Sequence, residues 1–191
     1  MSLILITTQR FRDDRGWFTE SWNAARWSDW GLTATWCQDN HSYSAAAGAL
    51  RGLHYQTGAH AQTKLVRCIR GAIYDVAVDL RSQSPTFKQW RGFDLSAENG
   101  AQLLIPCGYA HGFLTLTPDC EVTYKVDRHY APAADGGVAW DDPEISVIWP
   151  LPEGITTPQL STKDAALPKL SAAMPNFPYD GERLDVREIV Q

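Results

Sequence analysis

Between Leu32 and Val126, apolar and polar residues alternate with a period of two, in short runs punctuated by Gly, Pro, Asn and Asp. The runs cover residues 34–38, 48–55, 64–70, 72–80, 90–95, 101–105, 112–116 and 121–126. A period of two belongs to strands that bury one face, and many short strands with regular turn signals predict an antiparallel sandwich or barrel. No βαβ alternation and no glycine-rich dinucleotide fingerprint follows a strand, which argues against a Rossmann enzyme.

Ahead of these runs, residues 1–20 read as a strand, a turn at Asp13-Asp14-Arg15-Gly16 and a second strand from Trp17. Residues 21–30 read as a short helix with Trp27 and Trp30 on one core-facing side and Gly31 at its C-terminal end. After Trp149-Pro150 the alternation stops and proline-rich connections begin. Ser161-Thr162-Lys163-Asp164 fits a capping box that opens another short helix, which gives Asp164 a purely structural reading. The last twenty residues read as a surface-packed or loosely ordered tail. The expectation is a single domain over residues 1–191, less regular from about 151.

Alternation also sorts side chains. Tyr74, Val76, Val78 and Leu80 fall on one strand face, and Ile73, Asp75, Ala77 and Asp79 on the other. If Gly71 marks a hairpin turn, Lys64, Val66 and Asp75 share a face. Asp75 then either partners the lysine or faces solvent from an edge. Tyr124 aligns with Val122 and Val126, so it points into a core or a pocket, where its hydroxyl needs a partner.

Composition narrows the partners. The net charge of -5, with no Lys/Arg run, excludes a general nucleic-acid binder, so an anionic ligand would need a local cationic pocket. Leu3–Ile6 is far too short an apolar run for a signal or membrane segment. Cys37, Cys68, Cys107 and Cys120 show neither C-x-x-C pairing nor zinc-like spacing, and read as small buried residues in a reducing cytoplasm. There is no His-x-His of the kind that metal-binding jelly rolls need, so no metal is expected.

The chemistry concentrates in Arg51-Gly52-Leu53-His54-Tyr55-Gln56 and in Lys64-Leu65-Val66-Arg67-Cys68-Ile69-Arg70-Gly71. An imidazole titrates near neutral pH and suits proton abstraction, and an ammonium can hold charge developing on an oxygen. On its own the histidine reads more readily as a satisfied structural residue. Its company changes that reading: Asp14-Arg15-Gly16 with Glu20-Ser21, Gln38-Asp39-Asn40-His41-Ser42, Asp75-Val76-Ala77-Val78-Asp79, Ser84-Pro85-Thr86-Phe87, Ala110-His111-Gly112-Phe113, Tyr124-Lys125 and Lys163-Asp164-Ala165-Ala166.

In these motifs, taken in order from about Arg10 to about Pro168, the chain resembles the dTDP-4-dehydrorhamnose 3,5-epimerase family. The resemblance implies a mainly β, antiparallel jelly-roll (cupin-like) sandwich with short flanking helices. It implies an isomerase without cofactor, acting on dTDP-4-keto-6-deoxyglucose, and a homodimer whose sites are completed across the interface. It further implies that His54 is the base, paired with Asp164, that Tyr124 is the acid on the opposite face, and that Lys64 stabilises an enolate. Arg15, Glu20, Gln38, Asp39, Asn40, Arg51, His111, Asp135 and Lys163 match positions that hold the nucleotide, its phosphates or the sugar. Thr63, His129-Tyr130, Asp135 (where glutamate is frequent) and Trp17 depart from the family pattern, and the His129-Tyr130 pair leaves open which ring stacks on the nucleobase. A mono-epimerase on a related nucleotide sugar and a non-catalytic or metal-dependent jelly roll are the alternatives.

Overall fold

The computed structural model describes residues 1–191. Its strands are β1 (Leu3–Thr7), β2 (Phe11–Asp13), β3 (Gly16–Phe18), β4 (Gln38–Ser44), β5 (Leu50–Gln56), β6 (Lys64–Arg70) and β7 (Ala72–Asp79). They continue with β8 (Trp90–Ser96), β9 (Ala101–Ile105), β10 (Tyr109–Thr115), β11 (Cys120–Val126), β12 (Asp135–Gly137) and β13 (Val186–Val190). Three short helices flank them: α1 (Ala24–Asp29), α2 (Thr162–Ala165) and α3 (Leu170–Ala173).

Two sheets face each other. One runs β13-β1-β9-β6-β11-β4 and the other β12-β5-β10-β7-β8, with β2-β3 as a separate hairpin. All pairings are antiparallel except β1 with β13. The expected sandwich is therefore present, and six of the eight runs read from alternation match strands to within two residues at either end. At Trp36 and Cys37 the chain is still a connection, so β4 begins only at Gln38, where it pairs with Val126. β10 starts three residues ahead of its reading, at Tyr109, because Tyr109 and Ala110 pair with Asp79 and Val78.

The alternation along β7 separates two of the three cores. Ile73 and Ala77 pack between the sheets with Val66, Leu103, Phe113 and Val122, while Val76, Val78 and Leu80 lie on the outer face with Leu53, Val138 and Phe177. Trp27 of α1 packs with Ile4, Ile6 and Leu65 on the outer face of the larger sheet. Burying each such side chain fully contributes roughly 1.5–3 kcal/mol, which is why the period survives in the sequence.

Three expectations need correction in whole or in part. Of the two readings of the C-terminal stretch, the packed one holds and the loosely ordered one fails: β13 adds to β1, and Leu184 is buried. Arg81 anchors the same segment, binding both oxygens of Asp79, the Asp180 carboxylate at 2.6 Å and the Tyr109 hydroxyl at 2.6 Å. Gly71 does not close a hairpin either, since β6 and β7 belong to different sheets. It turns the chain across the sandwich with φ 76°, and a Cβ there would meet Cys120 Sγ at 2.6 Å. Of the four free cysteines, Cys68 and Cys120 are buried, whereas Cys37 and Cys107 are exposed rather than buried as expected. No helix is long and apolar enough to cross a membrane.

Candidate active site

Because β6 and β7 lie in facing sheets, Lys64 and Asp75 approach across the sandwich and not along one face. Asp75 is fully buried, and its carboxylate meets Nε2 of His111 at 2.9 and 3.1 Å. It is neither a solvent-facing edge residue nor an ion-pair partner of the lysine. His111 on β10 stands opposite His54 on β5. These strands come unusually close, since a Cβ on Gly52 would meet the Gly112 Cα at 2.6 Å. Burial pushes the His111 pKa below the ordinary histidine value against the pull of Asp75, which favours a neutral ring.

His54 turns its Nε2 to Asp164 Oδ1 at 2.5 Å, across 110 positions of sequence. Asp164 sits on α2, where Ser161 caps the helix by accepting the Asp164 N–H at 3.0 Å. The Ser161 hydroxyl also donates to Asp164 Oδ2 at 2.7 Å. Burial would raise the Asp164 pKa, but the hydrogen bonds from His54 and Ser161 outweigh it and hold the carboxyl below its ordinary value. An ionised carboxylate only accepts, so the His54 proton resides on Nε2, and Nδ1 keeps its lone pair. The capping reading of this motif and a partnership with His54 both hold.

His54 opens onto a cavity of about 300 Å³, shared with Gln38, Asn40, Lys64, Tyr124, Asp135 and Lys163. His54 and Asp135 come from the smaller sheet, and Gln38, Asn40, Lys64 and Tyr124 from the larger. Strand period explains the selection: Gln38, Asn40 and Tyr124 share the inward face, with Tyr124 directly opposite Asn40. Burial raises the Tyr124 pKa, so its phenol keeps its proton at neutral pH. Lys64 is 9% exposed, and desolvation lowers its pKa to about 8 despite the attraction of Asp75 and Asp135. At neutral pH it remains a cation held ready in a poorly solvated place. Lys163 pairs with Asp135, which ties α2 to β12 at the cavity wall.

Several expected site residues lie elsewhere in the chain's own frame. Asp39 points to the outer face of its sheet, where it pairs with Lys125 at 2.9 Å. Arg15 is at the tip of the β2-β3 hairpin, its side chain 90% exposed and bonded only to Asp13. Glu20 braces the start of α1 through Asn23 and Arg26. Arg51 lines a neighbouring cavity of about 350 Å³ with Ser161 and Asp164, and donates to Tyr43 O at 3.0 Å. His111 lies beneath the cavity floor and not on its surface.

The structure adds Tyr55, Gln56, Gln62 and Tyr130 to the cavity lining. Gln56 was legible, being two positions beyond His54 on the same strand face. Its amide fixes the loop before β12 by donating to His129 O and accepting from the Ala131 N–H. Tyr130 was in view only through the resemblance, as one of two rings for stacking; its N–H donates to Gln38 Oε1 and its hydroxyl to Asp135, contacts that only folding creates. No group of three or more His, Cys, Asp or Glu side chains is disposed to hold a metal ion.

Residues 1–172 match the family described as dTDP-4-dehydrorhamnose 3,5-epimerase. The dTDP-4-dehydrorhamnose 3,5-epimerase of Salmonella typhimurium is 47% identical over 173 residues, covering 90% of this chain and 92% of that protein. The crystal structure of the Bacillus anthracis enzyme with TDP and pyrophosphate bound superposes with a TM-score of 0.83 at 54% identity, over 87% of this chain and 93% of that one. That of the Legionella pneumophila epimerase in complex with dTDP-4-keto-L-rhamnose gives 0.84 at 41% identity, over 92% and 93%.

Proposed function

The chain belongs to the dTDP-4-dehydrorhamnose 3,5-epimerase family, and we propose that its inversion chemistry is carried by His54, Asp164, Lys64 and Tyr124 around the central cavity. It is an isomerase of dTDP-L-rhamnose biosynthesis that inverts the two carbons flanking the 4-ketone of dTDP-4-dehydro-6-deoxyglucose. The supporting observation is the convergence on one cavity of a carboxylate-bound imidazole, a desolvated ammonium and a protonated phenol from opposite sheets.

Each feature answers a demand of the reaction. Hydrogens on carbon beside a ketone become acidic only if the charge left on oxygen is stabilised, so base and cation must act together. Nδ1 of His54 takes the proton, and Asp164 stabilises the imidazolium that results. Lys64 holds the enolate oxygen, and its weak solvation strengthens that contact. Returning the proton from the His54 side regenerates the substrate. Tyr124, on the other sheet, delivers a proton to the opposite face of the sugar ring and inverts the carbon.

Nucleotide binding falls to Gln38, Asn40, Arg51, Asp135 and Lys163, with His111 supporting the cavity from below. Arg15 and Glu20 complete the site of a second copy in a homodimer. Support comes from the hairpin that carries Arg15, where Phe11 and Phe18 pair across the two strands and stand exposed on one face. Asp39 has no role in this scheme. A reducing cytoplasm suits the four free thiols. The test is incubation with dTDP-4-dehydro-6-deoxyglucose in deuterated water followed by NMR. Inverted product should carry deuterium at both carbons beside the ketone, and exchange at one carbon alone would make the enzyme a mono-epimerase.

A further inference from the structure

We infer that Ser161 is a positioning residue for the proton-transfer pair, acting through its hydroxyl on Asp164 beyond its part as a helix cap. The inference rests on the reading of His54 as the base. Ser161 touches Asp164 twice: its oxygen accepts the Asp164 N–H at 3.0 Å, and its hydroxyl proton goes to Asp164 Oδ2 at 2.7 Å. The two carboxylate oxygens are thereby divided, Oδ2 to Ser161 and Oδ1 to His54 at 2.5 Å.

That division has two consequences. A carboxylate held at one oxygen cannot turn about its terminal torsion, which is otherwise broad and roughly two-fold, so Oδ1 stays in line with the imidazole. The Ser161 hydroxyl donates to Oδ2 at 2.7 Å, and a hydrogen bond given to a carboxylate favours its charged form. Both effects keep His54 protonated on Nε2 with Nδ1 free. The helix itself is only four residues long, Thr162–Ala165, so it gives the carboxylate little rigidity; the Gly52 backbone also reaches the carboxylate, and Ser161 is the side chain that shares it with His54. The nearby Lys163–Asp135 pair fixes the same turn from its other side but does not touch Asp164.

Capping and positioning can be separated by substitution. Glycine caps helices nearly as well as serine, so Ser161→Gly removes the hydroxyl at little cost to the helix. Ser161→Thr retains it. Steady-state kinetics on the full-length enzyme should show kcat lowered about tenfold or more in Ser161→Gly, with KM within about twofold and the melting temperature nearly unchanged. Ser161→Thr should restore most of kcat. Wild-type kcat in Ser161→Gly, or an equal loss in Ser161→Thr, would overturn the inference. His54→Asn measured alongside keeps the two readings apart. If that variant retains activity, the assignment of the base fails; if it is inactive while Ser161→Gly is normal, only the role of Ser161 fails.

Discussion

His54 and His111 stand directly opposite one another on adjacent antiparallel strands, yet each gives its Nε2 to a different carboxylate, Asp164 and Asp75. The outcome differs because the environments differ. His111 and Asp75 are sealed in the sandwich, whereas His54 keeps 29% of its side chain exposed and reaches the cavity. One pair can exchange protons with a ligand, and the other supports the floor beneath it.

Asp164→Asn should separate chemistry from capping. The amide can donate to Nε2, which moves the imidazole proton to Nδ1 and blocks the lone pair needed for abstraction. Turnover should fall on the order of 10²–10⁴-fold, while the stability lost from the capping box is about 1 kcal/mol or less. Thermal melts beside steady-state rates check this. Unchanged turnover with a lower melting temperature would leave only the structural role.

Lys64 sets an alkaline limit. Its folded pKa is lowered to about 8 from 10.5, so the ammonium proposed to hold the enolate is lost as pH rises through about 8. The profile of kcat/KM, which reports the free enzyme, should fall on that limb. The sign for stability is the opposite. Between about 8 and 10.5 the unfolded chain binds the extra proton, so the buried lysine costs stability at neutral pH, and that cost fades as pH climbs through this window. Lys64→Met should therefore abolish turnover yet stabilise the fold at pH 7, by roughly 3 kcal/mol or less in denaturant titrations.

Arg15 tests assembly. If it serves a partner's site, Arg15→Glu should raise KM on the order of tenfold or more without altering the His54 chemistry. Assayed at substrate well below KM, where Arg15→Glu alone is nearly inactive, co-expressing it with His54→Asn should then give about a quarter of wild-type activity, since half the dimers are mixed and each has one intact site. No recovery would place both residues in one subunit's site.

Much of this was readable because burial imposes period. Tyr124 follows Val122 and precedes Val126, and that phase alone turned it inward. Ser161 and Asp164 were legible as a capping box because the motif is local. Their meeting with His54 spans 110 residues, which no local rule reaches; family resemblance supplied it. Lys64 and Asp75 were set on one side for the wrong reason, because a glycine turn within a sheet and one between sheets look alike in sequence. β13 went unread because Val186–Val190 buries only Ile189, leaving too weak an alternation to stand out.

The central claim is that two protein groups act on opposite faces of the sugar, and Tyr124→Phe tests it most directly. The substitution keeps the ring and its packing but removes the phenolic proton. In deuterated water, NMR of recovered sugar should show deuterium entering beside the ketone with configuration retained, while inversion slows on the order of 10²–10⁴-fold. His54→Asn should incorporate almost none. Epimerisation at the wild-type rate by Tyr124→Phe would contradict the two-face account and require another donor on that side.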